Sequence, residues 1–234
     1  MTLSEQLERD GYALMPGAVP YDQVRRLRTA FDLLWKRHDR SVDQRQLLAV
    51  PEFIELIDHP RLLDELTTVF GDQLQLIMYA LRNHDAGDDL RERDWHRDFS
   101  FVCDRVIAVN AILYLDDTAD SGPTVAVPGS HRWRTPPAER FEPRSDEVPL
   151  PAKAGDILLN DATLWHSRSR NKTLSPRRLV LLYFGYWWLK RYEHDSPLPR
   201  QALESASARR LQLLGVRMPG RDLHLYELGD GGDQ

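Results

Sequence analysis

The sequence predicts a mainly β protein with a helical cover contributed by its N-terminal part, and three observations carry that expectation. The first third places apolar residues at three- and four-residue spacing. The middle is a series of short runs rich in Val, Ile, Leu and aromatics, separated by turn-forming segments. No helix-period stretches alternate with those runs, which points to an antiparallel sandwich or barrel and away from a parallel sheet. A chain of 234 residues suits one generous domain or at most two small ones. We expect one domain over residues 1–234, divided into a helical segment (1–70), a β-core (71–190) and a polar C-terminal extension (191–234).

Each element has a local cause. From Tyr21 to His38, Val24, Leu27, Phe31, Leu34 and Trp35 share one face, while Arg25, Arg26, Arg28, Asp32 and Lys36 occupy the other. Pro20 and Asp22 suit the start of that helix. A second helix is expected from Pro60 to Phe70, stopped at Gly71. Trp35 reads as core packing on an amphipathic helix. Strands are expected within QLQLIMYALRN (73–83), RVIAVNAILYL (105–115), PTVAVPGS (123–130), GDILLN (155–160) and RRLVLLYFGYWW (177–188). The segments DAGDD (85–89), DDTADSGP (116–123), residues 134–151 and NKTLSP (171–176) supply turn chemistry between them. Trp187 and Trp188 are expected to pack the sheet against the N-terminal helices. The extension holds one helical patch (201–214) and ends in GDGGDQ, expected to be flexible.

Composition excludes several function classes. With 31 Lys+Arg against 36 Asp+Glu, the formal net charge is −5. That balance argues against nucleic acid as a partner, because such proteins usually present a basic face. Apolar residues make up 41% and charged residues 29%, the chemistry of a globular protein and not of a disordered chain. Cys103 is the only cysteine, so no disulfide can form within the chain and a Cys-built zinc site is not expected. It reads as a small, partly buried filler. The opening MTLSEQLERDGY lacks the order of a signal peptide, and the run from Leu179 to Leu189 is too short to span a bilayer. A cytoplasmic protein with no membrane partner is the expectation.

Among eight histidines, His96 stands two residues before Asp98. On an extended chain such residues point to one side, so an imidazole and a carboxylate can reach one ion. By itself this triplet arises easily by chance, and a third ligand must come from elsewhere. His166, after the apolar run GDILLN and within LWHSRSRN, is the best candidate. Two histidines and a carboxylate form the facial set that leaves positions open on Fe(II), although Zn²⁺ can use the same donors. Arg177 and Arg178 open the last long strand, whose alternation sends one of them inward, where a guanidinium needs an anion. Strand parity alone does not decide between them. Trp95 and Trp165, each preceding a candidate ligand, are expected either to wall a pocket or to pack the core. Arg82 ends a strand and faces either a site mouth or solvent.

The series WHRD (95–98), SGPTVAVPGSHR (121–132), GDILLNDATLWHS (155–167) and NKTLSPRRLVLLYF (171–184) resembles the phytanoyl-CoA dioxygenase family. DGYALMPG (10–17) also suits that family's N-terminal segment. The resemblance implies a double-stranded β-helix (a jelly-roll or cupin-like fold) and an Fe(II)- and 2-oxoglutarate-dependent oxygenase that consumes O₂. It makes His96, Asp98 and His166 the iron ligands. It also selects Arg177, eleven positions after His166, for the far carboxylate of 2-oxoglutarate. Asn110, on one strand face with Ile112, is a candidate contact to that co-substrate. Gly122 and PGSH (128–131) match a structural turn, which makes His131 no ligand. The chain departs from the family at Arg168, where a small hydroxyl residue or glycine is usual. That side chain is expected to narrow the pocket or to bind substrate.

The resemblance therefore implies oxidation, most simply hydroxylation, of a C–H bond with release of succinate and CO₂. Asp98 disfavours halogenation, which needs a small residue there so that chloride can coordinate iron. Oxidative cyclisation or desaturation, a catalytically silent jelly-roll binding protein and a zinc-dependent hydrolase or isomerase remain the alternatives. The zinc reading gives Arg177 no role. The expected substrate is a small polar metabolite or natural-product intermediate, because 234 residues leave little room for a carrier-docking domain.

Overall fold

The computed structural model describes residues 1–87, 91–100, 102–137, 139–192 and 197–218. The N-terminal layer begins with α1 (Leu3–Asp10), held by a capping box in which the Thr2 hydroxyl accepts from the Glu5 amide and the Glu5 carboxylate accepts from the Thr2 amide. Strand β1 (Tyr12–Met15) follows, then α2 (Tyr21–Arg37), α3 (Gln44–Leu47), α4 (Pro51–Ile57) and α5 (Pro60–Phe70). Pro51 and Pro60 open their helices at positions that need no backbone donor, and α5 stops at Gly71 as expected. Helix α2 buries Val24, Leu27, Phe31 and Leu34, each side chain contributing about 1.5–3 kcal/mol of apolar burial. Trp35 stacks on Phe31 at the margin of this core.

A five-stranded antiparallel sheet in the order β1-β6-β3-β8-β2 is built from β1, β2 (Leu74–His84), β3 (Ala108–Tyr114), β6 (Ile157–Asp161) and β8 (Arg177–Tyr186). A three-stranded sheet in the order β5-β4-β7 joins β4 (Thr124–Ala126), β5 (Val148–Leu150) and β7 (His166–Arg168). The larger sheet is apolar on both faces. Val109, Ala111, Leu113, Leu159, Val180 and Leu182 belong to the core shared with the helices. The alternate residues, among them Ile112, Leu158, Leu179 and Leu181, pack with Ala126 and Leu150 of the smaller sheet. Those strands consequently read as near-continuous apolar runs, in contrast to the alternation of a half-exposed sheet.

The C-terminal part adds α6 (Arg200–Leu203) and α7 (Ala208–Leu213), where one helical patch was expected. Ser205 adopts φ +56° and Ser207 caps the Arg210 amide, which splits the patch into two short helices. GDGGDQ lies outside the described residues. The packing role expected of Trp188 is corrected: β8 ends at Tyr186, which meets Phe70 of α5 edge-on, while Trp188 stacks on Tyr186 and stays 59% exposed. Among the described residues no helix is long and apolar enough to cross a membrane.

Candidate metal centre

His96 and His166 face each other across an antiparallel bridge in which each backbone N–H donates to the other residue's carbonyl at 3.1 Å. A pair that exchanges both bonds projects its side chains to one face. Asp98, two residues on, joins that face, and the Phe99 amide continues the pairing by donating to Ala162. One donor atom from each of His96, Asp98 and His166 then lies within 4.8 Å of the others. The His166 Nε2 is 3.9 Å from an Asp98 oxygen.

Both rings are oriented by backbone carbonyls: His96 Nδ1 lies 2.8 Å from the Asp94 oxygen and His166 Nδ1 lies 3.0 Å from that of Leu164. A carbonyl only accepts, so each neutral ring carries its proton on Nδ1 and presents the Nε2 lone pair to the shared space. Burial, reinforced by neighbouring His96, holds the His166 pKa below the usual histidine range and favours the neutral, ligating form. Among the described residues this is the cluster of His, Cys, Asp and Glu donors close enough to hold an ion, and its two imidazoles and one carboxylate suit a first-row divalent metal.

Around the carboxylate, the Asn110 amide donates to Asp98 at 3.3 Å, so Asn110 sits at the centre as its position on β3 requires. Tyr183, opposite Asn110 in the β3–β8 register, brings its hydroxyl close to Asp98. Burial, together with the Asp98 charge, pushes the Tyr183 hydroxyl far above its ordinary pKa and keeps it a neutral donor. Sequence reading passed over Tyr183 because a tyrosine in RRLVLLYFGYWW looks like packing; the available signal was its parity with Arg177. Asn160, fully buried beside Asn110, was also passed over, and neither of its side-chain polar atoms has a hydrogen-bond partner among the described residues.

Register settles which arginine turns inward. Arg177 shares a face with Leu179, Leu181 and Tyr183 and is 2% exposed. Its Nη1 donates to the Ser121 carbonyl at 2.9 Å and its Nη2 to that of Ser169 at 3.1 Å. Arg178 turns the other way and pairs with Asp116 at 3.0 Å and with Asp32 of α2 at 2.9 Å. Arg168 takes the same face of β7 as His166; its Nη1 is buried and has no hydrogen-bond partner among the described residues.

The remaining candidates divide. Trp95 is 1% exposed, packs with Val125 and Val127, and donates its indole N–H to Glu142; packing is its main role. Trp165 carries the Arg97 guanidinium 4.7 Å from its ring centre and borders a cavity of about 470 Å³ beside His96. Trp95, Arg97, Arg134 and Arg140 also border that cavity. Arg82 is exposed and donates to its neighbour Leu81, outside the ligand cluster. His131 is buried away from the cluster, with its Nε2 3.1 Å from the Glu8 carbonyl oxygen. Cys103 is half-buried.

Comparison with known proteins gives a consistent result. The sequence profile of the phytanoyl-CoA dioxygenase family matches residues 7–179. The uncharacterized protein Rv1501 of Mycobacterium tuberculosis is 30% identical over 171 residues, covering 72% of this chain and 61% of its own length. Dioxygenase af480 of Aspergillus fumigatus is 29% identical over 174 residues, covering 69% of this chain and 54% of its own length. The chain thus spans little more than half the length of these relatives. HygX from Streptomyces hygroscopicus, solved with nickel and 2-oxoglutarate bound, superposes with a TM-score of 0.68 at 20% identity, covering 82% of this chain and 90% of HygX. At that identity the likeness speaks to the fold.

Proposed function

Because the chain belongs to the phytanoyl-CoA dioxygenase family, we propose that it is an Fe(II)- and 2-oxoglutarate-dependent dioxygenase on a double-stranded β-helix, oxidising a C–H bond of a small molecule. The observation that carries this reading is the convergence of His96, Asp98 and His166 within 4.8 Å, beside an inward Arg177 that is 2% exposed. Iron with 2-oxoglutarate and O₂ supplies the oxidising power, with succinate and CO₂ as co-products.

The chain's own residues supply position and charge. His96 and His166 present Nε2 lone pairs fixed by the Asp94 and Leu164 carbonyls. Asp98 brings the carboxylate, steadied by the Asn110 amide and with the Tyr183 hydroxyl nearby. Arg177 is held by two carbonyls, so its guanidinium is pre-oriented for the far carboxylate of a dicarboxylic co-substrate. Leu179, Leu181 and Ile112 keep water from the inner face. The cavity beside His96 gives a small polar metabolite or natural-product intermediate access, and the polar chemistry of Arg97, Arg134 and Ser100 suits such a substrate. The lone cysteine accords with a reducing cytoplasmic location.

The test is anaerobic visible absorption of the protein titrated with Fe(II) and then with 2-oxoglutarate. A charge-transfer band that needs both additions and is lost in His166→Ala is the expected result. A folded protein that retains metal but shows no band would refute the reading.

A further inference from the structure

We infer that the primary substrate is an organic anion, a carboxylate or a phosphate ester, whose charged group is held by Arg97 and Arg134 in the cavity beside His96. This deepens the function proposed above and rests on it. The cavity has a volume of about 470 Å³, in the range of small-molecule sites, and one of the proposed iron ligands borders it. Arg97, Arg134 and Arg140 border it too, and among the described residues that do so none is acidic. Such a concentration of positive charge runs against the rest of the chain, whose formal net charge is −5. Like charges gathered around a partly desolvated space repel one another, and an anion between them relieves that repulsion.

The three arginines are not equivalent. Arg140 is already neutralised, its Nε donating to the Asp94 carboxylate at 2.9 Å. Arg97 is held without being neutralised. Its Nη2 donates to the carbonyls of Ser130 and Trp133, and its guanidinium lies 4.7 Å from the centre of the Trp165 ring. Carbonyls and a ring face orient a cation but bring no opposite charge. Asp161 lies within its electrostatic reach yet makes no ion pair with it; the Asp161 Oδ1 accepts from the Thr163 amide and hydroxyl. The buried Nε of Arg97 has no hydrogen-bond partner among the described residues. Arg134 is exposed, and its side chain makes no hydrogen bond or ion pair among them. The cavity therefore offers one pre-oriented cation and one adaptable cation. Trp165, Pro136 and Pro137 wall the same space, so the substrate joins its anionic group to an apolar body. A cationic molecule of that shape is disfavoured by the same two charges.

The experiment uses the full chain with Fe(II) and 2-oxoglutarate under anaerobic conditions and reads dissociation constants by calorimetry, independently of turnover. The probes are 3-phenylpropanoate, 2-phenylethyl phosphate, the neutral 3-phenylpropanamide and the cation 3-phenylpropylamine, which share a ring and a similar reach. At least one anion is expected to bind about tenfold or more tighter than the amide, and the amine more weakly than the amide. The tighter anion identifies the head group. Arg134→Gln is expected to cut the anion's advantage about threefold to tenfold, and Arg97→Gln about tenfold or more, each leaving the amide within about twofold. Arg25→Gln, on the exposed face of α2, removes the same charge elsewhere and is expected to change nothing. Should Arg97→Gln fold poorly by circular dichroism, Arg134→Glu takes its place and is expected to abolish the advantage. Anions no tighter than the amide, no binding of either anion up to about 10 mM, or an undiminished advantage in either folded variant overturns the inference. The charge-transfer band is recorded on the same samples, and its loss on adding an anion, which places that anion on the metal, overturns the inference too. Absence of the band before any probe is added instead overturns the oxygenase reading, while calorimetry still decides the charge preference of the cavity, so the two failures are distinct.

Discussion

Gly122 sits between Ser121 and Pro123 with φ +84°, and a Cβ built there would lie 2.1 Å from the Arg170 carbonyl oxygen and 3.0 Å from that of Ser169. Both are backbone atoms, so no side-chain rotation relieves the clash. The left-handed conformation costs an alanine about 1–2 kcal/mol, and forcing the two segments apart adds about 1–3 kcal/mol, giving a destabilisation of about 2–5 kcal/mol for Gly122→Ala. For a chain of this length that corresponds to a Tm lowered by about 10 °C. The displaced carbonyls of Ser121 and Ser169 are also the two that orient Arg177, so co-substrate affinity is expected to fall by at least about tenfold. Gly129→Ala is the control, because Gly129 is left-handed (φ +75°) and its Cβ position meets the Arg9 carbonyl oxygen at an ordinary 3.9 Å. It is expected to lose only the conformational term and to bind 2-oxoglutarate normally. Thermal melts and charge-transfer titrations of both variants decide the matter. Equal stability losses in the two, or normal 2-oxoglutarate affinity in a folded Gly122→Ala, would refute the link between this turn and the arginine.

Further outcomes follow from other contacts. Tyr183→Phe removes the hydroxyl beside Asp98 and is expected to weaken Fe(II) binding about tenfold with an unchanged circular dichroism spectrum, as read by competition with a chelator. Glu147→Gln breaks the pair with Arg93, whose side chains are only 14% and 9% exposed, and should cost about 3 kcal/mol in urea unfolding at pH 7. Burial raises the Glu147 pKa, but its bonds to Arg93 and to the Arg144 amide outweigh burial and depress it overall. The contribution is therefore present above the unfolded carboxylate pKa of about 4.3 and is lost as the pH falls through the lower folded value. The unsubstituted protein should accordingly lose stability in acid more steeply than Glu147→Gln.

The parts of the fold legible in the sequence are those where one periodicity dominates. Helices α2 and α5 fall where their apolar stripes and flanking Pro and Gly place them. The five long apolar runs all contain strands. Strands β1 and β5 are harder to read, because four residues of YALM and three of VPL are too few to set a period. At the site, His96 and Asp98 were legible as a local pair. Their meeting with His166 needs a bridge between residues seventy apart, which local pattern does not report: the sequence offered His166 as the best third candidate from its place at a strand end, and the resemblance then implied it as a ligand. Arg177 and Arg178 show the same limit at one position. Adjacent arginines are equivalent by composition, and they separate only when β8 takes its register between β2 and β3, sending Arg178 to Asp116 and Asp32 and Arg177 to the interior. That register also carries Tyr183 onto the face of Arg177 and opposite Asn110, so a residue at the carboxylate ligand and a residue at the far end of the site are fixed by one strand. A one-residue slip of β8 would exchange both together for their neighbours, turning Arg178 and Phe184 inward. On the proposed reading, the capacity of this chain to hold a metal and a co-substrate therefore depends on strand pairing as much as on the candidate ligating side chains.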